Sequence, residues 1–201
     1  MTRQWATTAA LQGKHVSLEP LSLEHVPGLQ EAARDGELWN LWFTSVPHPE
    51  LTLQYVEQAL VLREQGKAVP FVVRDANGVV VGSTRYGNIE SDHKRLEIGW
   101  TWYAARVQRT ALNSEAKLLL LSNAFETLGA IAVEFRTNWF NHRSRHAIER
   151  LGAKQDGVLR NHMLMPDGTR RDTVVFSILD SEWPAVKKNL KYQLQRCGKE
   201  S

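Results

Sequence analysis

Apolar and polar positions follow two patterns along this chain, and the order in which they change places predicts its elements. Residues 1–13 read as a loose lead-in, and His15 to Leu21 alternates like a strand, ended by Pro20. Ser22 can cap a helix, and His25 to Arg34 carries apolar residues at helical spacing until Gly36. Residues 38–43 read as a short aromatic turn or helix broken by Pro47 and Pro49, and a second helix runs from Leu51 to Gln65, stopped by Gly66. The pattern then becomes strand-like. Pro70 to Arg74 and Val79 to Tyr86 flank an Asp75-Ala76-Asn77-Gly78 turn, and Gly82 suggests a bulge or close approach. After a polar loop at 89–94, Arg95 to Tyr103 is a third strand of this meander. A long apolar helix spans 113–128, a buried strand 130–137, a helix 145–151, a last hairpin 157–164 and 172–179, and a C-terminal helix 182–194.

Three antiparallel strands between helices rule out a doubly wound sheet. The expected fold is mixed α/β, with a central sheet covered by helices on both faces and a right-handed crossover from strand 95–103 through helix 113–128 to strand 130–137. No repeat or low-complexity linker divides the chain, so one domain over 1–201 is expected, its core at about 13–190 and a basic helix and tail at 182–201.

Composition narrows the classes. Apolar and charged fractions of 42% and 23% are those of an ordinary soluble protein, and no apolar run is long enough for a membrane span. No secretory signal is evident, and the only cysteine is Cys197, which leaves no intrachain disulfide or cysteine-based metal site and fits a reducing, cytoplasmic compartment. A net charge of +3 is too mild to argue for nucleic acid, which is not expected as a partner, and the cluster Lys187, Lys188, Lys191, Arg196 and Lys199 reads as a solvated helix face or a frayed end rather than a phosphate-seeking patch.

The chemistry is expected in Leu96 to Leu128. A strand feeding a helix through a tight turn leaves backbone N–H groups and the helix dipole facing one point, which suits an anion. Gln108 to Asn113 is therefore expected to hold a pyrophosphate, with Asn113 as helix cap.

The element order resembles that of the GNAT N-acetyltransferase superfamily. Gln108, Ala111 and Asn113 fall at the positions of its acetyl-CoA signature. Glu97 to Trp102, Asn141-x-x-Ser144, Ala147 to Ala153, Gly157 to Arg160 and Asp167 to Asp172 are similar to its RimJ/RimL-type branch of ribosomal-protein-alanine and small-substrate acetyltransferases. The resemblance implies about seven strands, splayed between the fourth (95–103) and fifth (130–137), and acetyl-CoA as cofactor. It departs at Ala111, where glycine is usual, and at Asn113, where glycine or alanine is usual. An alanine there would cost about 1 kcal/mol if its φ were positive.

The implied cofactor contacts are Trp100, Thr101 and Trp102 as a pantetheine rail, then Gln108, Arg109, Thr110, Ala111, Leu112, Asn113, Asn141 and Arg143. Asn141 and Ser144 can equally be helix caps, and Arg109 a solvated arginine. Ser144 is implied as partner of the leaving thiol. Glu97 and His162 are the candidate bases, with Glu97 equally readable as a carboxylate paired with an arginine. Trp39, Trp42, Phe43, Arg85, Tyr86 and Arg160 are the candidate acceptor lining, aromatic for an aliphatic stem and cationic for a carboxylate. The function implied is acetyl transfer to a primary amine by direct attack, the amine being a small molecule or a peptide N-terminus. A catalytically weak acyl-CoA-binding module is the alternative. A homodimer is compatible with the exposed strand edges.

Overall fold

The computed structural model describes residues 5–6, 9–44 and 46–197. Eight strands form one sheet: β1 (Leu11–Gln12), β2 (Val16–Pro20), β3 (Val69–Asp75), β4 (Val80–Glu90), β5 (Arg95–Tyr103), β6 (Ala132–Asn138), β7 (Lys154–Leu164) and β8 (Arg170–Leu179), in the order β1-β2-β3-β4-β5-β6-β8-β7. Neighbours are antiparallel except β5 and β6, which run parallel.

Five α-helices cover the two faces: α1 (Val26–Arg34), α2 (Thr52–Glu64), α3 (Ala111–Ser122), α4 (His142–Leu151) and α5 (Trp183–Cys197). Successive strand residues point to opposite faces. Thus Phe71 and Val73 join Leu96, Ile98, Phe135 and Phe176 under α3, α4 and α5. Val72 joins Val80 and Trp102 under Leu29, Ala32 and Ala33 of α1 and Val56 and Ala59 of α2. Each helix buries one apolar stripe, and that burial is what holds helices of this length. Among the described residues no helix is long and apolar enough to cross a membrane.

Several boundaries differ from the sequence expectation. The count is eight strands, not about seven, because β1 lies within the lead-in. It has only two residues, too few to set up a period, and Glu115 of α3 accepts the N–H groups of Lys14 and His15 just beyond it. The expected loop at 89–94 shrinks to a turn, since polar residues of β4 keep pairing: Gly87 with Glu97 and Glu90 with Arg95. Residues 23–25 form a 3₁₀ turn, so α1 starts at Val26. Helix α4 starts at His142 rather than 145, and β7 and β8 begin at 154 and 170. The tail residue Lys199 lies outside the described residues.

Candidate functional site

The sheet forks between β5 and β6. Arg95, Leu96 and Glu97 pair with Ala132, Val133 and Glu134, and there the pairing ends. Beyond Glu97, β5 stays with β4, while Phe135 to Asn138 of β6 stay with β8. The cause lies in β5. Trp100 adopts a left-handed backbone (φ 51°), and the register against β4 slips between Ser83 and Arg85. Such a bulge adds a residue, increases twist and bends the strand away from its neighbour. It also breaks the alternation: Leu96, Ile98 and Tyr103 face the α3 side, whereas Trp102 faces α1 and α2. The freed main-chain edge of β5 opens into the fork, where the resemblance implies a pantetheine rail.

The turn from β5 to α3 is built by three hydrogen bonds of two side chains. Gln108 Nε2 donates to the Tyr103 carbonyl at 2.8 Å. Thr110 Oγ1 donates to the Val107 carbonyl at 2.7 Å and accepts the N–H of Leu112 at 3.3 Å. Thr110 is therefore the cap, and α3 starts at Ala111, not 113; Asn113 sits inside the first turn. The helix ends in a π-turn at Asn123–Thr127. The left-handed position falls on Arg109 (φ 63°), while Ala111 is helical, so its methyl group meets none of the strain a glycine signature would guard against. Leu112 is corrected as a cofactor contact: its N–H is taken by Thr110 and its side chain lies in the core. Among the described residues, the N–H groups of Arg109, Thr110 and Ala111 meet no acceptor.

Across the fork, Asn141 caps α4 by accepting the Ser144 N–H at 3.0 Å. Arg143 Nη2 reaches back to Gln108 Oε1 at 2.6 Å, tying the two banks together. Ser144 is partly exposed, and its hydroxyl meets no partner among the described residues. Three acceptor-less amides, a helix N-terminus, two arginines and an unpaired strand edge form a donor set that fits a pyrophosphate followed by an amide-bearing arm.

Two groups lie on opposite faces at the fork's base. On the α1/α2 side Glu97 is 5% exposed. Asn88 Nδ2 donates to its Oε2 at 2.6 Å, and Arg136 Nε lies 3.6 Å from the same oxygen. Burial raises its pKa, opposed by the Asn88 hydrogen bond and Arg136. Gly99 is the space that admits it: a Cβ there would lie 2.6 Å from Glu97 Oε1. On the α3 side Lys117 is 6% exposed, and its Nζ donates to Thr101 Oγ1 at 2.8 Å, a hydroxyl that also meets Thr84 at 2.7 Å. Burial lowers its pKa to about 7.

The acceptor candidates separate. Trp42 packs on Phe43 and on Phe140, which joins the loop after α1 to the loop after β6. Trp39 meets His48 edge-on, away from that contact. Arg85 sets its guanidinium carbon about equally near the rings of Tyr55 and Trp100, 5.0 and 5.1 Å from their centroids. Arg160 pairs with Asp172 at a cavity also lined by Trp139 and Val158. Tyr86 is corrected: it is fully buried in the core on the α3 side, where its hydroxyl donates to the Leu120 carbonyl at 2.6 Å. His162, on exposed β7, shares a hydrogen bond with Thr173 at 3.1 Å. Asn88, Tyr55, Lys117 and Arg136 were not singled out from sequence. Lys117 did leave a signal, a lysine inside the apolar row Leu112, Ala116, Leu120.

A sequence model of the Acetyltransferase (GNAT) domain matches residues 15–154, and the chain belongs to that family. A protein of Bacillus subtilis (strain 168) assigned as a ribosomal N-acetyltransferase, YdaF, is 28% identical over 111 residues; the match covers 55% of this chain and 60% of that relative's length. A crystal structure assigned as an acetyltransferase from T. thermophilus is 36% identical with a TM-score of 0.82, covering 94% of this chain and 99% of that one. A GCN5-related N-acetyltransferase from Brucella melitensis is 29% identical with a TM-score of 0.83, covering 94% and 86%. The ribosomal assignment of YdaF agrees with the RimJ/RimL-like resemblance.

Proposed function

We propose that the fork binds acetyl-CoA and that the chain transfers its acetyl group directly to a primary amine presented on the α1/α2 face. One observation carries this reading: the strand edge freed beyond Glu97 leads straight into three amides without acceptors at the head of α3. Family membership supports the donor. When bound, acetyl-CoA supplies an acetyl group activated as a thioester.

The chain's residues divide the remaining work. The amides of Arg109 to Ala111, with Arg109 and Arg143, hold the pyrophosphate, and the β5 edge from Trp100 to Trp102 pairs with the pantetheine arm. Asn141 offers its amide nitrogen to the same arm, since its oxygen caps α4. Glu97 accepts the proton of the incoming ammonium, directly or through water, and the Ser144 hydroxyl donates to the departing sulfur. His162 is the second candidate base. An α-amine has a pKa near ~7.7–8.0 and needs little help to be neutral, unlike a lysine near ~10.4. The acceptor is thus a small-molecule or peptide α-amine, a reading that the ribosomal assignment of YdaF favours. A single cysteine suits a cytoplasmic setting.

The test is CoA affinity and thiol release with a panel of amines, for the wild type and for Ala111→Glu. A carboxylate in the first helical turn suits the helix dipole, so that variant should fold. It should lose CoA binding by opposing the pyrophosphate. Unchanged affinity sinks the placement; tight CoA binding with no release from any amine leaves a binding module.

A further inference from the structure

Arg85 is charged, 3% exposed, and without a hydrogen-bond or ion-pair partner among the described residues. Its guanidinium carbon lies 5.0 Å from the Tyr55 ring centroid and 5.1 Å from that of Trp100. Ring faces attract a cation but accept none of its N–H bonds. A buried guanidinium left in that condition is a standing cost to the fold. Trp102 Nε1, on the same face and packed edge-on against Tyr55, is a second buried donor without an acceptor.

The acid two strand positions away on this face cannot serve. Glu97 is held by Asn88 and Arg136. Residue 99 pairs with Arg85 and residue 97 with Gly87, so Arg85 and Glu97 stand two strand positions apart, about 7 Å along β5. The Trp100 ring lies over Gly87 between them, in space that a side chain at 87 would fill.

We infer that the acceptor amine carries a carboxylate, which Arg85 and Trp102 Nε1 receive while Glu97 faces the amine. The two rings lie 5.0 and 5.1 Å from the guanidinium carbon and take none of its hydrogen bonds, which leaves its donors for a planar carboxylate. The span between clamp and base suits an amine and a carboxylate a few bonds apart: an amino acid, or an acidic first residue of a peptide. This rests on the reading of the fork as an acetyltransferase site.

The experiment uses the full chain with acetyl-CoA and acceptor pairs of equal shape. Alanine is set against alaninamide, aspartate against asparagine, and glutamate against glutamine, each of the last two pairs both free and as the first residue of a short peptide. A clamp on the α-carboxylate should prefer alanine over alaninamide, and a clamp on a side-chain carboxylate the acidic member of the peptide pairs, by about tenfold or more in kcat/KM. The free and peptide arms tell the α-carboxylate from the side-chain carboxylate. Arg85→Gln should erase the preference through KM with CoA affinity kept, and Arg85→Lys should restore part of it. Equal use of both members of every pair by the wild type overturns the inference, whatever the variants do. Binding of the same acids to the CoA-loaded protein is followed by the fluorescence of Trp100 and Trp102. Carboxylate-dependent quenching without turnover upholds the clamp while refuting the enzyme. No carboxylate dependence in either measurement refutes the clamp alone.

Discussion

Arg143 Nη2, at the start of α4, donates a 2.6 Å hydrogen bond to Oε1 of Gln108, whose Nε2 is anchored on the Tyr103 carbonyl. One side chain thus joins the end of β5 to the far bank of the fork. Arg143 adds a positive charge at the expected pyrophosphate; Gln108 adds only the tether. Arg143→Ala should therefore weaken CoA binding by about tenfold or more, the order of a hydrogen bond to a charged group. Gln108→Ala should cost less, and the Arg143 deficit alone should shrink as salt screens it. Calorimetric titration with CoA at two ionic strengths checks this. Wild-type affinity in Arg143→Ala would remove the arginine from the site.

Glu97 can act as base only when ionised, and burial raises its pKa. The kcat/KM for acetyl transfer should fall as pH drops through that raised value. The Asn88 hydrogen bond opposes the rise by favouring the charged form. Asn88→Leu should therefore shift this acidic limb to higher pH, whereas the amine's own titration cannot move. Glu97→Gln should lower the plateau by roughly 10²–10⁴-fold, the usual contribution of a general base. A pH–rate profile of Asn88→Leu that overlays the wild type would take Glu97 out of the proton path.

The layering of this fold was legible because Leu96, Ile98, Phe71 and Val73 keep the strand period and α3 carries a long apolar row. The fork itself could be inferred only from resemblance. Its cause is the left-handed Trp100, and a tryptophan gives no propensity signal for that backbone. The cap was misread for a related reason: Asn113 is as good a cap as Thr110, and the choice is made by the Val107 carbonyl that Thr110 reaches. Tyr86 was misplaced because β4 alternates faces and the sequence does not say which face carries the acceptor. Asn88 and Arg136 matter only through Glu97, a contact made across strands.

Lys117 makes a stability prediction with a definite sign. Its pKa falls to about 7 in the fold, from an ordinary lysine value of 10.5. Between these values the unfolded chain holds a proton that the folded chain has lost, so stability should rise with pH across that window. Below it both states are protonated and the full penalty of burying the ammonium is present. Lys117→Met removes the charge and leaves the Thr84 and Thr101 hydroxyls bonded to each other. It should be more stable than the wild type at pH ~6, by roughly 1–3 kcal/mol. The advantage should shrink by pH ~9. Urea denaturation at both values measures it; a constant difference would contradict a titrating Lys117.

Gly82 shows how closely the strands beside the fork are fitted. It lies where the β3–β4 register slips, with φ at 158°, and a Cβ there would fall onto the Trp102 carbonyl oxygen. That oxygen belongs to backbone paired through Ser83, so it cannot swing aside as a side chain would. Gly82→Ala must therefore push β4 and β5 apart at the residues that carry Trp102 into the α1/α2 core. The cost should be about 3 kcal/mol, at the upper end of overpacking changes. For a chain of this size that is a Tm lower by roughly 6–12 °C. CoA affinity in the surviving folded fraction should fall as well, because the displaced strand is the one whose free edge enters the fork. Calorimetric melting and a CoA titration on one preparation read both. A variant that melts with the wild type would mean the strands can separate without cost, which this packing does not allow.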